Sequence, residues 1–400
     1  MSSGEIRAAD TSEEARTQTF LDEIFSPLHR AEQRRWARAY LRGLLHVTGR
    51  KTPRRMARTE SLPPAAAQGL HQFINASPWE WEPVRRRLVL GIAGSTTPYA
   101  WTVAELIIPK RGEHSVGVHR RPDPVTGLTV NCQRAVGLFL AAGAHCFPVD
   151  WSLVLDDTWG REQQRRLRAR IPETETARHM GGHVLGFAAG VAAEPRLPDV
   201  PWVLDLTRYD DASGVLAGLA RQRLDIVCEV EPGQVVFAGD RLPAVITVGE
   251  LMEGRYARQP PVITRQAADS AAKTIPIHTY AGTVRLPRRT TGQDDNSVRY
   301  QVLKRPALNG RQPARYWISS LTNRPVKDVM ASVRSRTAVR TAVAKLREHF
   351  GVLDFEGRSF PGWHHHMTMA SAAYAIRHLP GGPGLVPLMP VSAVPAEAAS

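Results

Sequence analysis

At Pro98 the periodicity of the chain changes, and the change limits what the polypeptide can build. From residue 20 to about 90 apolar residues recur at helical spacing: Trp36, Tyr40, Leu41, Leu44 and Leu45 fall at i, i+4, i+5, i+8 and i+9. Ser77-Pro78 predicts a helix start ahead of WEWEPVRRRL. Beyond Pro98 the runs are short and β-prone: PYAWTVAELII, HSVGVHR and NCQRAVGLFLAA. Lys110-Arg111-Gly112 and the turn residues from Asp123-Pro124 to Gly127 separate them, which predicts an antiparallel meander. A basic helical stretch over 161–170 and a Gly/Ala-rich helix near 176–192 follow. PWVLDL then reads as a buried strand, ASGVLAGLARQ as a helix and LDIVCEV as another strand. A meander followed by a βαβ unit predicts an α/β class with a mixed-sheet core.

Residues 231–312 break this rhythm with dense Pro and Gly and scattered β-prone pieces, and are expected to be a β-rich insertion. YWISS at 316–320 resumes the core as a strand, and 326–350 carries an unbroken helical period after Pro325. The expected division is a disordered N-terminus (1–18), a helical DNA-binding domain (19–92), the first part of the core (93–230), the insertion (231–312), the second part of the core (313–378) and a disordered Pro/Gly/Ala-rich tail (379–400).

Charge narrows the function. Fifty-two Lys and Arg against 38 Asp and Glu give a formal +14 and a pI near 10.3, which favours polyanionic partners and makes nucleic acid the expected one. The density peaks between Leu28 and Arg58, where Arg30, Arg34, Arg35, Arg38, Arg42, Arg50, Lys51, Arg54, Arg55 and Arg58 face one acid, Glu32, for a local charge of +9. Arginine favours bidentate phosphate contact, so this segment is the candidate DNA-binding strip. Arg336, Arg340 and Arg347 form a second cluster on one face of the late helix. Three cysteines without a Cys-x-x-Cys pair offer neither a disulfide framework nor a zinc ribbon. With no run long enough to span a bilayer and no signal-peptide layout, the chain is expected in the cytoplasm, associated with the nucleoid.

Other motifs are bland. His364-His365-His366 cannot close on one ion, because consecutive helical residues point about 100° apart, so imidazoles bonded to local backbone beside Trp363 are expected. Asp156-Asp157 reads as loop carboxylates, one of them a helix cap. No phosphate-cradling glycine loop of either nucleotide-binding type occurs.

The run GVLDFEGRSFPGWHHHMTMASAAYA at 351–375 resembles the C-terminal signature of DDE-type bacterial transposases of the insertion-sequence-701 family, within the insertion-sequence-4 superfamily. FINASPWEWEPVRRRL, IPKRGEHSVGV, NCQRAV and VLDLTRYDD agree in order, so the similarity spans about residues 20–378. The resemblance implies an RNase H-like core with a β-rich insertion before its last helix, acting on double-stranded DNA through two divalent ions. Those ions need carboxylates converging from separate elements.

Carried over by position, the family's first-strand Asp falls on Ala104, the second is kept as Asp205, and the Glu of a Tyr-x2-Arg-x3-Glu-x6-Lys pattern falls on Arg340, with Val333, Arg336 and Arg347 at its other positions. A guanidinium about 5 Å from a divalent ion, at an effective dielectric of about 20, repels it by ~6–7 kcal/mol. The expectation is a transposase-family pseudoenzyme that binds DNA without a cofactor, as a regulator or an inhibitor, alone as a homo-oligomer or mixed with a related transposase. The alternative is an active, Mg²⁺-dependent enzyme of DNA transposition and recombination, drawing its acids from Glu105, Asp205 and one of Asp210, Asp211 or Glu348. Glu105 is expected to point away from the site, since neighbouring strand residues face opposite ways.

Overall fold

A computed structural model describes residues 17–122, 127, 129–239, 243–253, 261–266, 273–280, 282, 284–287, 298–308 and 312–380. The expected disordered ends lie, but for residues 17, 18, 379 and 380, outside the described residues. After a helical stretch over 17–24 come α1 (Ala31–His46), α2 (Pro53–Thr59), α3 (Ala66–Asn75) and α4 (Trp81–Ser95). Tyr40, Leu41 and Leu44 are buried as their period predicts. Ser77-Pro78 is not the cap of α4. That helix starts at Trp81 behind Glu80, with Pro83 in its first turn, and the Ser77 hydroxyl instead accepts a bond from Gln33.

The core follows as β1 (Pro98–Pro109), β2 (His119–Pro122), β3 (Thr129–Ala142), β4 (His145–Val154), α5 (Asp157–Arg161), α6 (Gln163–Ala169), α7 (Met180–Ala192), β5 (Trp202–Asp205), α8 (Ala212–Arg221) and β6 (Ile226–Val230). β1, β3 and β4 form the antiparallel meander, β5 runs parallel to β1, and β6 parallel to β5. The spatial order β4-β3-β1-β5-β6, with helices on both faces, is RNase H-like. The third meander strand is therefore β4, and not the HSVGVHR run. Gly117 takes a left-handed φ of +69°, the Val116 N–H bonds to the Arg358 carbonyl, and regular pairing begins only at His119.

The insertion contributes β7 (Val235–Ala238), β8 (Ala244–Thr247), α9 (Val248–Glu253), β9 (Val262–Gln266), β10 (Lys273–Thr279), β11 (Val284–Arg285) and β12 (Gln301–Arg305). β11, β7 and β8 make a small separate sheet. β13 (Arg315–Ser319) pairs with β6, and β12, β10 and β9 extend the main sheet beyond it.

The helical period over 326–350 is broken into α10 (Val326–Ser332) and α11 (Ser335–His349). Ser332 bonds back to the Val329 carbonyl, and the amides of Val333 and Arg334 reach three residues back, closing the first helix before the second starts.

α12 (Phe360–His378) ties the layers together. Pro361 and the Ser359 hydroxyl, which accepts from Gly362 N–H, start the helix. From Gly362 to Ile376 every residue is buried, against α1, α3 and α4 on one side and β4 on the other. Burial of Met367, Met369 and Ile376 contributes about 1.5–3 kcal/mol each. The histidine run takes distant partners instead of local backbone. His365 faces the carbonyls of Ile74 and Trp79, His366 bridges the Tyr40 hydroxyl and the Gly351 carbonyl, and His364 accepts from Arg85 while stacking on Trp81. Arg85, itself buried, also reaches Asp150, Thr368 and the Trp151 carbonyl. The N-terminal helices thus share one core with the sheet.

Candidate nucleic-acid interface and carboxylate site

The polar centre of the sheet lies at the carboxyl ends of its parallel strands, where open α/β sheets place their ligands. Trp101 pairs with Trp202, and extending that register by three residues sets Ala104 beside Asp205. Asp205 pairs in turn with Glu229, so Ala104, Asp205 and Glu229 form one row on one face of β1, β5 and β6. α11 lies over this face, packed on β1, β3, β4 and β5.

Both oxygens of Asp205 are engaged. Oδ1 accepts the Thr207 amide at 3.1 Å and the Thr207 hydroxyl at 2.6 Å, and Oδ2 accepts the Arg336 guanidinium at 2.6 Å. Burial pushes this carboxyl up, but Thr207, Arg336 and the nearby Arg315 outweigh it and hold it below the usual carboxylate range. Burial lowers the Arg336 pKa, as does Arg340, against the pull of Asp205 and Glu229. Glu229 is buried in a two-bond pair with Arg315, whose guanidinium also covers the Trp317 ring. Tyr209, close to Asp205, Arg336 and Glu105, has its hydroxyl pushed up to about 12, chiefly by burial.

The residue that faces Asp205 is therefore Arg336 and not Arg340, which is exposed on the outer side of α11, as is Arg347. The break at Val333–Arg334 sets the rotation of α11, and Arg334 stacks on Tyr99 just before it. Glu105 points away, bonded to Arg134 and paired with Arg121. Asp211 caps α8 at Gly214, Asp210 is exposed, and Glu348 is exposed beside His349. None of these acids reaches the row of Asp205. Asp156 caps α5 and Asp157 pairs with Arg161. The sequence reading missed Glu229 and Arg315. An acid inside the apolar run LDIVCEV was the available signal.

The basic N-terminal segment docks near the far end of β1. The Lys51 amide bonds to Asp354, Arg50 pairs with Glu356, and the Lys110 amine donates to the Phe355 carbonyl. Burial, reinforced by Arg50, pushes the Lys110 amine down to about 8. Lys51 does not belong to an exposed strip: it is 3% exposed, its amine donates to the Val47 carbonyl, and burial lowers its pKa. Arg34 bonds to the Leu28 and His29 carbonyls, Arg35 covers Trp36 near Glu32, Arg38 pairs with Asp22, and Arg42 pairs with Glu60. Arg30, Arg50, Arg54, Arg55 and Arg58 remain exposed. The segment's apparent excess charge is partly met by acids from other parts of the chain.

A family model described as DDE superfamily endonuclease matches residues 23–293, through β1, β5 and into the insertion. The chain belongs to this family. No curated protein matches it. Membership brings DNA as the partner of the DDE fold and divalent metal as its usual cofactor. The matched segment contains Ala104 and Asp205 and ends before α11.

The side chains of this row do not fit a pair of divalent ions. Ala104 has no donor, both Asp205 oxygens are bound, and Glu229 is neutralised by Arg315. Among the described residues no three His, Cys, Asp or Glu side chains are grouped to hold a metal ion. Among them, too, no helix is long and apolar enough to cross a membrane.

Proposed function

We propose that this chain is a transposase-family protein, allied to the insertion-sequence-701 group of the insertion-sequence-4 superfamily, that binds duplex DNA without performing strand transfer. The observation that carries the reading is the state of Asp205: the one acid retained at the family positions has both oxygens engaged, by Thr207 and by Arg336. Strand cleavage by two ions requires several converging carboxylates free to coordinate, and the two acids of this row are each paired with a guanidinium. The role is occupancy of DNA ends, either as a regulator or as an inhibitor acting through mixed oligomers with an active relative. The helical segment 19–92 and α11 supply the phosphate contacts in this reading, through Arg50, Arg54, Arg55 and Arg58 on one side and Arg340 and Arg347 on the other, all exposed.

Six such contacts predict a log K against log salt slope of about −5. In a mobility-shift series on the full chain with EDTA present, binding is expected at low salt and is lost steeply as salt rises. Absence of any shifted duplex at ~50 mM salt would remove the DNA-binding reading. Nicking of duplex DNA in Mg²⁺ or Mn²⁺, abolished by Asp205→Asn, would instead establish the active alternative.

A further inference from the structure

We infer that α6 enters the minor groove of a bound duplex and that Leu167 is a wedge that slips between two base pairs and bends the DNA. The inference rests on the reading above that the chain binds duplex DNA, and it adds how that DNA is deformed. Leu167 is 70% exposed, more than any other large apolar side chain among the described residues, and the next three, Val235, Val245 and Ile263, all lie in the insertion. Gln163, Gln164 and Arg168 stand exposed around it, one turn before it and next to it. The outer face of α6 thus sets one apolar point among amide and guanidinium donors, with no acid. Glutamine and arginine beside a protruding leucine are the side chains that read a minor groove and pry its base pairs apart.

The helix is braced for such a load, because its other arginines are spent on holding it in place. Arg166 donates at 2.7 Å to the carbonyls of Pro172 and Glu175, and Arg165 stacks on buried Trp159 and pairs with Glu162. Arg170, in the left-handed conformation at the end of α6, reaches the Asn75 carbonyl and the Ser359 hydroxyl, which ties α6 to the end of α3 and the start of α12. Arg161 remains on the surface in an exposed pair with Asp157, which a phosphate can replace at little cost. The placement agrees. β4 is antiparallel to β3 and so parallel to β1, which brings its carboxyl end, where α5 and α6 follow, to the same rim of the sheet as Asp205. On its other side α3 packs against α2, which carries the exposed Arg54, Arg55 and Arg58.

The test uses duplexes of about 30 base pairs, carrying a fluorescence donor and acceptor at their ends and 2-aminopurine at one central TpA step, since pyrimidine–purine steps unstack most readily. Titrated with the full chain at low salt in EDTA, wild type is expected to kink the duplex by an angle within about 20–90° and to raise the 2-aminopurine emission. Leu167→Ala is expected to keep the mobility shift and its salt slope while both optical changes disappear, and Leu167→Met to retain them. Arg161→Gln/Arg168→Gln is expected to lower the salt slope by about 2. A bend by Leu167→Ala equal to that of wild type overturns the inference. So does a lowered urea midpoint in Leu167→Ala, which would make this leucine a packing residue. A duplex that wild type shifts without bending removes the wedge alone, whereas the absence of any shift removes the DNA-binding reading and the wedge with it.

Discussion

Asp205→Ala is expected to lower stability by about 3–5 kcal/mol, an effect of the size seen when one partner of a buried ion pair is deleted. The physical reason is the state in which it leaves Arg336. The guanidinium is mostly buried, its Nε already lacks a partner, and without Asp205 the positive charge on α11 is left with only Glu229, itself paired with Arg315, to offset it, while Arg340 adds repulsion. Arg336→Met is expected to be costly too, since it orphans a carboxylate bonded otherwise only to Thr207. The double variant Asp205→Asn/Arg336→Met removes both charges together and is expected to recover most of the loss, because a buried pair often contributes little beyond its own desolvation. A double-mutant cycle by urea unfolding, with unchanged m-values, measures the coupling. Single-variant losses below about 1 kcal/mol would mean that the pair behaves as an exposed surface bridge.

How much of this was legible in the sequence depended on whether the deciding interaction was local. β1, β3, β5 and β6 were visible because their apolar runs are bounded by turn residues, and α8 because a helical period sits between two such strands. β4 was not, because Pro148 interrupts HCFPVDWSLV, and a proline inside a run argues against a central strand. The structure resolves the conflict by placing β4 at an edge, paired to β3 alone, with Pro148 opposite Phe139 at a register irregularity. The same limit applies at the site. Asp205 was found from its motif, but that Glu229 is its neighbour follows only from the β5–β6 register, and that Arg336 rather than Arg340 faces it follows from the helix break at Val333. Spacing gives the order of residues along α11. It does not give the rotation of that helix on the sheet. The histidine run fails in the same way, since its partners lie some 15 to 326 residues away in the chain.

Acid is expected to unfold this protein well above the pH at which its carboxylates are protonated, and the histidines beneath the N-terminal helices are the reason. His366 Nε2 faces the Gly351 carbonyl and must donate to it, so the neutral ring accepts at Nδ1 from Tyr40. His364 Nδ1 faces Arg85, which can only donate. Burial is the largest cause pushing His183 and His366 down to about 4 from 6.5, against the pull of their backbone hydrogen bonds; His365, with both ring nitrogens against carbonyls, is not counted with them. His364 lies well below its usual value, with Arg85 adding to the effect of burial. A histidine whose folded pKa is depressed binds fewer protons in the native state than in the unfolded chain between those two values, so stability is complete above about 6.5 and falls as pH drops toward 4. Each such ring contributes a slope of about 1.4 kcal/mol per pH unit, or about 3 kcal/mol over the window, and two together match the whole stability of a marginal domain. Asp205, held low in the native state, adds a further loss at the acid end of the range. Urea midpoints measured from pH 7 to 4 are expected to fall steeply through that interval, with a shallower slope, by about 1.4 kcal/mol per unit, in His366→Gln, whose amide can donate to Gly351 and accept from Tyr40 without titrating. A flat profile between pH 6.5 and 4.5, or an unchanged slope in His366→Gln, would show that these rings do not remain neutral in the folded chain.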